Sequence, residues 1–213
     1  MPGVASLGEC AFEMCTSLER VEYSPSITVI PMRAFYGCSA LAEFNFHEGI
    51  TFIGEEAFNS TGLSDITLPS SLTEIGARAF GGMISLVRAD LSKTALTKLS
   101  ETFASSSISE VILPTSLTEI GLMTFSYCQQ LKDINLHEGL TVLGESSFEG
   151  TGIEELVIPD SVTCIDYAFR RTENLKKLTL GRGIKEIGGL GYIYGLETFV
   201  IPEGYIASKN AGA

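Results

Sequence analysis

Residues 108–131 read ISEVILPTSLTEIGLMTFSYCQQL. The stretch is one turn of a coil, and the rest of the chain repeats it with variations. It opens on an L-x-x-I-x-L pattern that recurs as LSDITL at 63–68 and LKDINL at 131–136. In these copies the last three positions alternate apolar, polar, apolar, with β-branched residues among them. That pattern marks a short strand with one buried face. Pro114 follows at once, as do Pro69, Pro159 and Pro202 elsewhere, and two other copies have a His-Glu-Gly turn at Gly49 and Gly139. Proline ends a strand because it lacks the N–H for the ladder, and glycine because it frees the turn. An L-T-E-I-G segment and a short closing run ending near Phe125 return the chain to the next strand. The closing run has room for one or two helical turns.

The closing phenylalanines give the period. Phe12, Phe35, Phe58, Phe80, Phe103, Phe125, Phe148 and Phe169 are spaced by 23, 23, 22, 23, 22, 23 and 21 residues. A fixed period of this length is the signature of a solenoid. A longer period of 45 is superimposed: Phe58, Phe103 and Phe148 form one set, and Phe35, Phe80 and Phe125 the other. It points to duplication of a two-turn unit. One turn cannot bury its apolar face alone, whereas stacked turns line up Leu on Leu and Phe on Phe in a continuous core. The expected fold is an α/β solenoid: a single domain over residues 1–213, about nine turns, one parallel strand per 22–23-residue turn, with short helical or irregular segments on the outer side. The bulkier bend side should curve the stack with its strands inside. Two units depart from the pattern. In 86–107, Ser92 and Lys93 stand in place of the proline and Leu99-Ser100 in place of Ile-Gly. In 175–195 the closing Phe is lost, and Tyr192 or Tyr194 is expected to fill its space.

Composition narrows the function. The net charge of −12 repels phosphate backbones, which excludes nucleic acid as a partner. No apolar run reaches transmembrane length, and the first residues, MPGVASLGECAF, lack the basic and apolar segments of a signal peptide. Val4, Leu7 and Phe12 instead match Leu72, Ile75 and Phe80 of a full unit. The chain thus opens in mid-repeat and also closes without a separate cap, which leads us to expect a slice of a longer array. Should the ends be its own, they become candidates for end-to-end self-association.

The repeated unit, exemplified by Leu63, Ile66, Leu68, Pro69, Leu72, Ile75, Gly76, Ala79 and Phe80, resembles the BspA-like leucine-rich repeat. The resemblance extends from about Val4 to about Pro202 and weakens in 86–107 and 175–195. It implies a curved leucine-rich-repeat stack, with no catalytic residues or cofactor to carry over. It also implies a surface-exposed or secreted protein of bacteria or protists, used in adhesion and protein binding. The lack of an export signal in this chain keeps a cytoplasmic scaffold as the alternative.

Side chains that carry chemistry elsewhere read here as parts of the scaffold. His47 and His137 lie four turns apart, roughly 20 Å at the strand spacing, too far to share a metal. Cys15, Cys38 and Cys128 fall three residues after a Phe, where Met83 also sits, so the position reads as an apolar core slot. Cys15 and Cys38, on adjacent turns, are the one pair placed for a disulfide. Cys10 and Cys164 complete an odd count without a C-x-x-C, which supports no zinc site. Asn59-Ser60-Thr61 is a glycosylation triplet on a bend. The IGGLG run at 187–191 lacks the Lys-Ser/Thr of a phosphate loop, and Glu74 and Glu119 recur as a solvated edge. Glu154 and Glu155 beside Lys132 and Asp133 come nearest to the clustered carboxylates of a β-helix carbohydrate-active enzyme.

What remains is the outward strand position between the last two apolar residues. That row is Glu22, Asn45, Thr67, Asp90, Ile112, Asn135, Val157, Thr179 and Val200. It mixes polar, acidic and aliphatic groups. We take it as the expected binding face for a protein or glycan ligand.

Overall fold

The computed structural model describes residues 4–190 and 192–203 of the chain. Every L-x-x-I-x-L strand that forms is three residues long, with its central residue turned inward in all but the last: β3 (Asp65–Thr67), β5 (Arg88–Asp90), β7 (Glu110–Ile112), β10 (Glu155–Val157), β12 (Lys177–Thr179) and β14 (Thr198–Val200). They stack in parallel as β3-β5-β7 and β10-β12-β14.

The T-E-I segment forms a second row of two-residue strands. These are β1 (Val29–Ile30), β2 (Phe52–Ile53), β4 (Glu74–Ile75), β6 (Lys98–Leu99), β8 (Glu119–Ile120), β9 (Val142–Leu143), β11 (Cys164–Ile165) and β13 (Glu186–Ile187). They pair in parallel as β1-β2-β4 and β6-β8-β9-β11-β13, and the break falls at the irregular unit 86–107. The glycine after the Ile is set by crowding. A Cβ on Gly76 would sit 2.4 Å from the Glu55 backbone nitrogen of the previous turn, and one on Gly54 would sit 2.5 Å from that of Met32.

No segment among the described residues is helical, so the bend takes the irregular form. Its geometry explains why. Residues two before and two after each Phe have positive φ, for example Arg33 and Gly37 around Phe35, Glu101 and Ser105 around Phe103, and Met123 and Tyr127 around Phe125. This alternation aims every second N–H along the solenoid axis. Arg33, Phe35 and Gly37 donate to the carbonyls of Glu55, Ala57 and Asn59 in the next turn, while Ala34 and Tyr36 bond within their own. A helical bend would spend all these donors internally. The left-handed conformation costs a non-glycine residue about 1–2 kcal/mol, and the inter-turn hydrogen bonds and packing it allows offset that cost.

The closing phenylalanines form one aromatic stack. Successive rings from Phe12 to Phe169 lie 5.3–5.8 Å apart and within 24° of parallel. Those from Phe35 onward are fully buried. Beyond Phe169 the expected substitution does not occur. Tyr192 and Tyr194 point outward, 60% and 73% exposed, and Leu190 and Ile193 pack against the core instead. A phenol buried in this all-apolar slot would leave its hydroxyl without a partner, whereas aliphatic side chains carry no such cost. Gly191 of the glycine-rich run and the closing residues 204–213 lie outside the described residues.

The slot three residues after each Phe is buried at Cys38, Met83 and Cys128, as expected, but Cys15, on the first described turn, is exposed. Cys38 and Cys128 donate to the carbonyls of Phe12 and Phe103 at 3.0 and 3.1 Å. Burial pushes the Cys128 thiol up to about 11. Cys15 and Cys38 are both free thiols. The same slot takes Thr61 and Thr151, whose hydroxyls bond the Phe58 and Phe148 carbonyls. The glycosylation triplet is therefore built into the bend: Thr61 is buried, and the Asn59 side chain reaches the Arg78 carbonyl.

Candidate functional site

All nine residues of the expected binding row reach the surface. Thr67, Asp90 and Ile112 are register partners across β3, β5 and β7, as are Val157, Thr179 and Val200 across β10, β12 and β14. Glu22 and Asn45 lie two residues beyond the isolated parallel bridge between Arg20 and Glu43. Asn135 stands alone in the gap between the two sheets. Exposure is uneven. Val157 is 66% exposed, whereas Ile112, Asp90 and Thr179 are half-buried.

Period-two alternation places a second outward column two residues earlier, which the single-row reading left out: Arg20, Glu43, Asp65, Arg88, Glu110, Asp133, Glu155, Lys177 and Thr198. Most of this column is knitted by ion pairs. Arg88 contacts Asp65 at 3.6 Å and Glu110 at 3.2 Å, and also holds Asp90 at 2.9 Å. The Ser92 hydroxyl, followed by its N–H and Arg88, holds the Asp90 carboxyl below the usual range. Lys177 pairs with Glu155 at 3.7 Å and Lys176 with Glu154 at 3.3 Å. The two glutamates of the nearest approach to a carboxylate cluster are thus each paired with a lysine of the following turn, while Asp133 and Glu155 line one groove.

Two shallow grooves open on this face. The larger, about 590 Å³, is lined by Arg20, Glu22, Tyr23, Glu43, Asn45 and His47 among others. Its wall is aromatic because Tyr23 and Phe44 occupy positions held by aliphatic residues in most other turns. Tyr23 stacks on Phe44 with centroids 5.0 Å apart, and Phe44 abuts the main stack at Phe58, 4.7 Å away. The Tyr23 hydroxyl donates to the Asn45 carbonyl at 2.5 Å, and burial pushes its phenol up to about 12. The second groove, about 320 Å³, is lined by Asp133, Asn135, Leu136, Glu138, Glu155 and Val157 among others.

The His-Glu-Gly turns belong to these grooves as framework. The His47 Nδ1 lies 2.8 Å from the Glu48 carbonyl, and its ring crosses Gly49, where an added Cβ would lie 3.5 Å away. Glu48 accepts from the N–H and hydroxyl of Ser70, and Glu138 accepts from the N–H groups of Asp160 and Ser161. Each carboxylate thereby satisfies donors that the next turn's proline-led bend leaves free. Among the described residues no group of His, Cys, Asp and Glu is arranged to hold a metal. Among the described residues no helix is long and apolar enough to cross a membrane.

A stack of 22–23-residue turns with paired parallel strands and an outward polar face is a leucine-rich-repeat solenoid. The chain belongs to the BspA type leucine rich repeat region family, which matches residues 1–101 and 97–207 in six copies. Solved structures share the fold. A leucine-rich repeat protein from Bacteroides ovatus is 24% identical over 93% of this chain, with a TM-score of 0.78. One from Eubacterium ventriosum is 18% identical over 95% of this chain and 71% of its own, at 0.52. The T. pallidum leucine-rich repeat protein is 22% identical over 83% of this chain and 71% of its own, at 0.51. This chain spans 64% of the Bacteroides ovatus protein. No curated protein matches it in sequence.

Proposed function

We propose that the chain is a non-enzymatic interaction module that binds a protein partner across its strand face, as part of an adhesive, surface-displayed array. The observation that carries this reading is the outward strand face itself. Two columns of side chains are held in fixed register by a buried core, with aliphatic and aromatic groups left open at Val157, Tyr23 and Phe44. A rigid face of this kind binds without the ordering cost that a flexible surface incurs. Membership of a leucine-rich-repeat family supports it. The test is adherence of beads coated with the purified chain to epithelial monolayers. Beads coated with a Val157→Lys, Val200→Lys variant should detach at a shear the parent withstands. Equal retention of the two coats would remove the strand face from the reading. Polysaccharide turnover abolished by Glu155→Gln would replace it with an enzyme.

A further inference from the structure

Both grooves fall at the two turns carrying His-Glu-Gly, and those turns share a longer pattern. Residues 41–49 read LAEFNFHEG and residues 131–139 read LKDINLHEG. Each has a carboxylate at the third position, Glu43 or Asp133, and an asparagine at the fifth, Asn45 or Asn135. Neither turn forms the three-residue strand found in the turns that follow it: 44–47 and 131–137 lie outside any strand. The face opens beside each of them: the first groove lies between residues 41–49 and the turn before, the second between residues 131–139 and the turn after.

The charges differ in the same two places. In the outward column the carboxylates Asp65, Glu110 and Glu155 each have a cation from this chain, at 3.6, 3.2 and 3.7 Å. Glu43 and Asp133 have no ion-pair partner among the described residues. Each stands beside a neutral amide and an apolar wall, Tyr23–Phe44 in one groove and Ile134–Leu136 in the other; the cation that shares the first groove, Arg20, is held by Glu22. A carboxylate, an amide carbonyl and an aromatic or aliphatic wall together fit the head and stem of a lysine or arginine. The net charge of −12 adds a field of the same sign.

We propose that Glu43–Asn45 and Asp133–Asn135 are two subsites of like chemistry for basic side chains, and that together they take an extended basic segment of the partner protein. The subsites are four turns apart, roughly 20 Å at the strand spacing, which an extended peptide covers in about six residues. Engaging both at once converts the second contact into an intramolecular one, so two weak pockets give useful affinity. This assignment rests on the strand-face reading and names its partner's chemistry.

The test uses a fluorescent peptide with two arginines six residues apart in a Gly-Ser background, titrated by anisotropy with the full chain. A one-arginine peptide and a peptide with the arginines two residues apart serve as probes of spacing. The six-apart peptide should bind at least tenfold more tightly than either. Glu43→Gln and Asp133→Asn should each reduce it to the one-arginine level, while Glu9→Gln, which removes the same charge elsewhere, leaves it unchanged. Equal binding of all three peptides, or equal losses from Glu9→Gln, would reduce the effect to net charge and overturn the proposal. Absence of peptide binding together with strand-face-dependent bead adherence would overturn the basic-partner assignment alone.

Discussion

The bend and the strand face exchange the roles their sequences suggest. The strand segment has the cleaner alternation, yet its pairing is broken between β7 and β10 and forms only a single bridge before β3. The bend lacks any regular pattern except its phenylalanine, yet its ring stack runs unbroken from Phe12 to Phe169. It is also stitched turn to turn by the donors that alternate positive φ turns along the axis. Regularity thus lies where the side chains are buried and the backbone is strained, and variation lies where side chains meet solvent. A solenoid holds its shape from one edge and leaves the other free to diversify.

One substitution at each edge separates the two contributions. Phe103 is fully buried between Phe80 and Phe125, with centroids 5.8 and 5.7 Å away. Phe103→Ala should cost about 3–5 kcal/mol by the usual large-to-small penalty in a core. Val157→Ser, on the strand face, should change stability by less than about 0.5 kcal/mol. Urea unfolding followed by circular dichroism measures both. Similar midpoints for the two variants would mean that the aromatic stack is not what holds the turns together.

Backbone substitutions sharpen the same contrast at smaller size. Gly76→Ala drives a Cβ into the Glu55 nitrogen at 2.4 Å, so two turns must separate. A loss of about 1–3 kcal/mol is expected, as for other overpacked sites. Ser105→Gly acts in the opposite sense. Ser105 is exposed at φ 60° and uses its N–H to bond the Ser126 carbonyl, which glycine retains. Relief of the left-handed strain should raise stability by roughly 1 kcal/mol, less the extra freedom of glycine in the unfolded chain. A thermal melt of Ser105→Gly below that of the parent would show that the strain relieved is smaller than the freedom glycine adds to the unfolded chain.

Much of this was legible in the sequence because burial imposes a period. The Leu, Ile and Phe positions of the core and the outward row from Glu22 to Val200 follow from counting residues. The bend did not, because Arg, Glu, Met, Ser and Tyr stand at its left-handed positions, and only Gly37, Gly82 and Gly150 marked one of the two sites. Local propensity has no means of reporting strain that neighbouring turns repay. The grooves were hidden for a related reason. Tyr23 and Phe44 occupy inward positions and read as core, and only the assembled face shows them half exposed. The visible clue was the aromatic pair Tyr23 and Phe44 on adjacent turns, where most other turns have aliphatic residues. The unpaired state of Glu43 and Asp133 depends on which turn follows, which requires the register.

The smallest expected effect concerns the joint between the two edges. The Ser70 hydroxyl and then its N–H, at 2.9 and 3.3 Å, hold the Glu48 carboxyl below its ordinary range. A carboxyl depressed in the folded state contributes stability while it is ionised in both states, above the ordinary glutamate value of about 4.3. That contribution is lost as pH falls through the lower folded value. Glu48→Gln cannot titrate, so the parent should melt above the variant at neutral pH and the gap should close as the solution is acidified below about pH 4. Because Glu48 is exposed, the gap should also shrink with added salt. A gap that persists unchanged to pH 3 would mean that the side chain acts at this joint through its shape and hydrogen bonds and not through its charge.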